Sequence, residues 1–240
     1  MKRSFAVERH EVPPGLVAIP VRTRLVMAGD DLPGVIAQAV AGIAVNDDVI
    51  AVSETAVAIA QGRAVAAEYV RPSRLAYALA RRAGALATVN QPESLQIVID
   101  SAGVAKVIWA SILHVAGRII GRRGVFYEVM GEAITAIDGY TGTLPPFERA
   151  IVFGPDDPDG VAQAIADRSQ AHCAIVDAND LEKAKVLGAS RGLNTDMIAA
   201  ALLDNPHGNA DEQTPIVVLK WRAAGPHPLH AVPAAAERSS

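Results

Sequence analysis

Two aspartates close strand-like runs: Asp138 in Ala136-Ile137-Asp138-Gly139, and Asp177 in Ile175-Val176-Asp177-Ala178-Asn179. A carboxylate at the carboxyl end of a buried strand is held by rigid backbone and faces the crevice where α/β sheets bind ligands. Two such carboxylates suit a hard divalent cation, which keeps several waters and carries phosphate oxygens. Aspartate is also a frequent turn former at strand ends, so each position has a purely structural reading beside the metal-binding one.

A basic set, Arg118, Arg122 and Arg123, lies near Lys106 and His114. Guanidinium groups hold polyphosphates with bidentate geometry; at a helix C-terminus they equally complement the macrodipole. The stretch from Asn205 to Pro215 is dense in donors and acceptors, with Asp211, Glu212 and Gln213 at its centre. It fits either recognition of a polar small molecule or a solvated loop. Asp156, Asp157 and Asp159 read as turn and capping residues. Cys173 and His172 are neighbours in a strand, where adjacent side chains point to opposite faces, so they do not form a nucleophile and base pair. Cys173 reads as a small core residue. There is no P-loop, no dinucleotide fingerprint and no Gly-x-Ser-x-Gly elbow.

The elements that must position these groups alternate between strands and helices. Strands are expected at Leu16–Val21, Leu25–Met27, Val49–Ser53, Ala150–Phe153, Cys173–Asp177 and Ile216–Lys220. Asp31 and Pro33 start a helix over Val35–Ala41, and Ser73 caps one over Arg74–Ala83 that Gly84 ends. Further helices are expected at Val161–Ser169 and Thr195–Leu203. Val125–Met130 and Glu132–Ile137 suggest a hairpin around Gly131. From Ala102 to Ile120, Lys106, Ala110, His114 and Arg118 recur every fourth residue. That periodicity predicts a largely buried soluble helix with one polar stripe, and charges within the stretch argue against a membrane span.

The chain has 240 residues, 22 Lys and Arg against 26 Asp and Glu, and one cysteine. A net charge of −4 argues against a general nucleic-acid binder. A single cysteine excludes an intramolecular disulfide and a multi-cysteine zinc site. The opening residues are charged and show no signal-like apolar run, so a cytoplasmic protein is expected, with neither nucleic acid nor membrane as partner. Residues 1–223 are expected to form one domain of mixed α+β class, followed by a Pro- and Ala-rich tail over 224–240.

Taken in order, several segments resemble the glutamate ligases of the deazaflavin coenzyme F420. They are Ile19-Pro20-Val21 with Gly29-Asp30-Asp31-Leu32, Asp47 to Val52 with Gln61-Gly62-Arg63, and Ala136-Ile137-Asp138. Gly154-Pro155-Asp156-Asp157-Pro158-Asp159-Gly160, Ile175 to Asn179 and Ile216 to Leu219 complete the match. The resemblance implies a two-lobed mixed α/β fold, a homodimer, and a GTP-dependent ligase that uses Mg or Mn. Such enzymes join a substrate carboxylate to the amine of glutamate. Asp138 and Asp177 fall on the family's metal-binding aspartates, which would make them the catalytic pair, with Asn179 in support. Arg122 and Arg123 would contact phosphate, and Asp211, Glu212 and Gln213 would shape the acceptor site.

The sequence departs from that pattern at four places. Gln61 stands where the family has Glu, Ala178 where it has Thr, and Asp196-Met197 where a Glu is expected; the helix from Ala102 to Ile120 is an elaboration. Three functions follow: a ligase acting on a small-molecule carboxylate and an amino acid, a non-catalytic nucleotide or cofactor binder, or a metal-dependent phosphohydrolase.

Overall fold

The computed structural model describes residues 15–82, 90–122, 124–131, 134, 137–138, 145–179, 183–204, 206–207, 213–223 and 227–230. The expected domain over 1–223 comprises two compact units. One is built from residues 1–61 with 155–240, the other from 62–154.

The first unit is a five-stranded mixed sheet. Its strands are β1 (Leu16–Val21), β2 (Val49–Ser53), β6 (His172–Asn179), β7 (Lys183–Ala189) and β8 (Ile216–Trp221), in the order β1-β8-β2-β6-β7. Only β2 and β6 run parallel; the other neighbours are antiparallel. The central strands read as continuous β-branched runs because both faces are covered. Val49, Ala51, Ala174, Val176, Val217 and Leu219 form one core with Ile198 and Leu202 of α8 (Thr195–Ala201). Ile50, Val52, Cys173, Ile175, Ile216 and Val218 alternate with them, so they point to the opposite face and are equally buried.

Helices α1 (Leu32–Val40), α2 (Glu54–Ala60) and α7 (Pro158–Ser169) complete this unit, and α7 packs on α1, β6 and β7. Asp31 caps α1 by accepting the Gly34 N–H at 3.3 Å, and Asp157 caps α7 by accepting that of Gly160 at 3.1 Å. Leu25–Met27 is not a strand; the Met27 N–H instead donates to the Asp30 carboxylate in a turn. Within the stretch expected to be a tail, Leu229 is fully buried and its carbonyl accepts the Asn194 N–H at 2.7 Å.

The second unit holds a three-stranded antiparallel sheet of β3 (Ala64–Ala66), β5 (Ala150–Phe153) and β4 (Ile137–Asp138), in the order β3-β5-β4. Around it pack α3 (Arg74–Ala80), α4 (Pro92–Ala102), α5 (Val104–Ile119) and α6 (Val125–Met130). Ala76, Leu95, Val98, Val107, Ala110, Met130 and Ile151 are members of its core. Ser73 caps α3 as expected, accepting the Ala76 N–H at 3.2 Å; the expected end of that helix at Ala83 and Gly84 lies outside the described residues.

Two expectations fail here. Val125–Met130 is the helix α6, not a hairpin strand, and β4 pairs with β5 instead. Gly124 and Gly131, with φ of 81° and 59°, bound this single turn and a half at both ends. The long helix α5 is also turned over. Ala110 is fully buried, the His114 Nδ1 atom is buried, and Lys106 donates to the Met130 carbonyl at 3.3 Å. Within the expected stripe, Ala110 and His114 thus face the protein while Lys106 and Arg118 are exposed at its flanks, and the apolar arc faces out. The helix is not largely buried, since only Val107, Ala110 and Gly117 are. Gly103, with φ of 85°, bends the chain by 114° between α4 and α5. No single described helix is long and apolar enough to cross a membrane.

Candidate functional site

Asp177 sits near the carboxyl end of β6, in register with Lys185 on β7. A register shift between Ile175 and Val176 precedes it, and such a bulge re-aims the side chains that follow. The carboxyl group is half-buried, and burial pushes its pKa up while the Lys185 ammonium works the other way. A carboxylate that has lost part of its hydration without a full counter-charge gains from meeting a cation. Asn179, two residues on, lies in register with Lys183; its side chain lies outside the described set. Ala178 faces Ala184 across the ladder, so a pair of methyl groups occupies the place where the family carries a hydroxyl.

Asp138 belongs to the second unit. It ends the two-residue strand β4, in register with Val152 of β5, and its side chain lies outside the described set. Arg122 follows α5 and forms an exposed ion pair with Glu128 at 2.8 Å. Exposed pairs of this kind contribute little to stability, so the guanidinium is held but not buried. Arg123 lies outside the described residues. Of its basic neighbours, Lys106 is turned to Met130, and His114 meets the Phe126 ring edge-on at 6.5 Å. Among the described members, Lys106 and His114 are thus turned to α6, while Arg118 and Arg122 are exposed.

Asp211 and Glu212 lie outside the described residues; His207 on one side of them and Thr214 on the other are joined by hydrogen bonds. Thr214 Oγ1 donates to the His207 carbonyl, and His207 Nδ1 lies 3.2 Å from the Thr214 carbonyl. Burial drives the His207 pKa down to about 4, against a hydrogen bond with Thr214 that favours protonation. Gln213 adopts a left-handed φ of 54°, and its carbonyl accepts the Thr23 N–H at 3.2 Å. These bonds tie the two ends of the loop to each other and its far end to the segment that follows β1. His207 is the residue that reading the sequence passed over; its only signal was the symmetry of Pro206-His207 and Thr214-Pro215.

The acidic run before α7 is structural, as expected. Asp157 is the N-cap, and Asp159 accepts the Ala189 N–H of β7 at 2.8 Å. Cys173 is fully buried, which pushes its thiol pKa up, and it serves as a core residue. Among the described residues no group of three His, Cys, Asp or Glu side chains could hold a metal ion.

A family model described as F420-0:Gamma-glutamyl ligase matches residues 20–176. The chain belongs to this family. The F420-0:gamma-glutamyl ligase match includes Asp138 and ends one residue before Asp177. The mixed α/β architecture is that of the family, and membership supports a ligase function in general terms. No curated protein matches the chain at a significant level.

Proposed function

We propose that this F420-0:gamma-glutamyl ligase relative joins a small-molecule carboxylate to an amino acid amine through an acyl phosphate, with GTP as phosphoryl donor. The observation that carries the reading is Asp177, a half-buried strand-end carboxyl held on rigid backbone within a chain of ligase ancestry. The substrate carboxylate oxygen attacks the terminal phosphorus, breaking its bond to the bridging oxygen and releasing the nucleoside diphosphate. The amine nitrogen then attacks the acyl carbon, inorganic phosphate leaves, and the amine gives up a proton.

Mg or Mn fits the donor set, since carboxylate oxygens are the ligands such hard ions prefer. Asp177 would hold it, and Asp138 takes the same role by resemblance. When bound, the ion supplies charge neutralisation at the phosphoryl oxygens. Arg122 and Arg123 would contact phosphate, with Asn179 supporting Asp177. Asp211, Glu212 and Gln213 would shape the acceptor side of a loop whose ends His207 and Thr214 clamp. By the same resemblance the working species is a homodimer.

The test is Asp177→Asn assayed for nucleoside diphosphate release with carboxylate and amine both present. Turnover is expected to vanish while the melting transition persists; turnover at the wild-type rate overturns the assignment. The methyl pair Ala178 and Ala184 favours one competing reading, a protein that binds nucleotide without cleaving it. Nucleotide binding with no diphosphate release in the wild type would select it, and phosphate release that needs no amine would select a hydrolase.

A further inference from the structure

Helix α5 carries its apolar residues on the wrong side for a soluble helix. Val104, Ile108, Ile112, Val115 and Ile119 are spaced four, four, three and four residues apart, which places them on one face. All are exposed, Ile119 to 81%, and Trp109 on the same side is 58% exposed. Ala105 and Ala116 fill the gaps, so no polar side chain interrupts this face. Over 16 residues it runs for about 24 Å, far beyond the scattered apolar side chains normal on a surface. The reason lies in packing: Val107, Ala110 and Gly117 are small or slim and press against the unit, Gly117 close enough that an added Cβ would sit 2.7 Å from the Val125 side chain.

The cations at the flanks of this face are Lys106 and Arg118, both exposed; Arg122 beyond the helix end is paired with Glu128. From Ser101 to Tyr127 the chain contains no Asp or Glu, but it contains Lys106, Arg118, Arg122 and Arg123, in a protein whose net charge is −4. A second copy would bring the same cations to the contact, whereas an anionic surface complements them. An apolar face with a tryptophan, bordered by Lys and Arg, is the pattern of a helix that lies in the plane of a lipid interface. The expectation that no membrane takes part rested on charges that interrupt a span; a helix lying in the interface keeps Lys106 and Arg118 at its flanks and is compatible with them.

We propose that the outward face of α5 docks on an anionic lipid bilayer, with the helix lying in the interface and not crossing it. The proposal is independent of the ligase reading, since it concerns a surface and not the chemistry at Asp177.

Flotation of the full chain with phosphatidylcholine vesicles, and with equal parts phosphatidylcholine and phosphatidylglycerol, tests it. Binding is expected only to the mixed vesicles, weakening as salt rises. Ile112→Asp is expected to lower it by roughly tenfold or more, because a charge then enters the apolar layer. Ile112 is exposed, so this variant keeps its melting temperature, and Ile119→Asp provides a second at the most exposed position. In a Trp221→Phe background, Trp109 emission is expected to shift to the blue on mixed vesicles alone. Absence of binding, equal binding to both vesicle types, or binding unchanged in both variants overturns the proposal. So does a wild-type dimer that Ile112→Asp splits, which would assign the face to a second copy of the chain.

Discussion

The Gln61 side chain closes on the backbone of a single residue, Asp156: its Nε2 donates to the Asp156 carbonyl and its Oε1 accepts the Asp156 N–H, each at 2.8 Å. Only a primary amide can do both, because a carboxylate has no proton to give. The replacement of the family's Glu by Gln at this position is therefore an exchange of an acid for a two-point clasp. Gln61→Glu keeps one bond, and sets a carboxylate oxygen against the Asp156 carbonyl. The expected cost is about 1–2 kcal/mol, or roughly 2–8 °C of melting temperature for a chain of this size. A melting scan checks it, and an unchanged transition would show that the clasp contributes nothing.

Asp177 carries a prediction that joins activity to stability. Its folded pKa is raised above the unfolded value, mainly by burial. A carboxyl shifted in this direction favours folding while it is protonated, and that contribution is lost as pH rises through the folded pKa. At neutral pH the ionised group is thus a burden on the fold. Asp177→Asn should melt higher than wild type at pH 7, with the difference shrinking as pH falls through the carboxylate range. Loss of turnover together with this gain separates a functional carboxylate from a structural one; a lower melting temperature at pH 7 would count against it.

His207 gives the opposite slope. Its folded pKa of about 4 lies below the model-compound value of 6.5, so the unfolded chain binds more protons between those values. Stability should fall as pH drops from about 6.5 to about 4, by at most about 3 kcal/mol for this one group. His207→Gln should flatten that part of the profile when unfolding free energy is followed by denaturant titration. An equally steep profile in the variant would place the acid sensitivity elsewhere, for instance at His172 and His227, whose pKa values burial also lowers.

Gly188 on β7 lies under the first turn of α7. A Cβ built there would sit 2.4 Å from the Pro158 carbonyl carbon and 2.5 Å from the Asp159 nitrogen, both backbone atoms. Neither can swing aside as a side-chain tip would. Gly188→Ala should cost about 3 kcal/mol or more, and it should also loosen the bond from the Ala189 N–H to Asp159. Hydrogen exchange at Ala189 reads the second effect directly.

Strands β2 and β5 are legible in sequence because each is a short β-branched run packed on both faces, and β1 because Val17, Ile19 and Val21 alternate with the exposed Ala18 and Pro20. Caps at Asp31 and Ser73 are legible because their side chains act within three residues. Strand β7 is not, since Lys183 and Lys185 give it the polar look of an edge strand, which is its place in the sheet. Helix α6 is misread because Val125, Phe126, Tyr127 and Val129 favour strands locally, and only packing against α5 overrides that preference. The orientation of α5 is hidden for a related reason: with apolar residues nearly all round, its sequence does not say which side meets the core. For the site, Asp177 follows from its strand end, while the His207 and Thr214 clamp depends on contacts that close only when the loop returns to the sheet.

The Gln61 clasp has an architectural consequence. It holds together, within the first unit, the two chain ends between which the second unit is spliced, and Arg63 does the same from the other side by donating to the Gly154 carbonyl at 2.6 Å. Each unit thus seals its own cut ends. Residues 62–154 have the anatomy of a cassette: a short graft from Gln61 to Pro155 would leave a continuous sheet of five strands, and the excised piece would begin and end at one spot, ready to be circularised or inserted into another host.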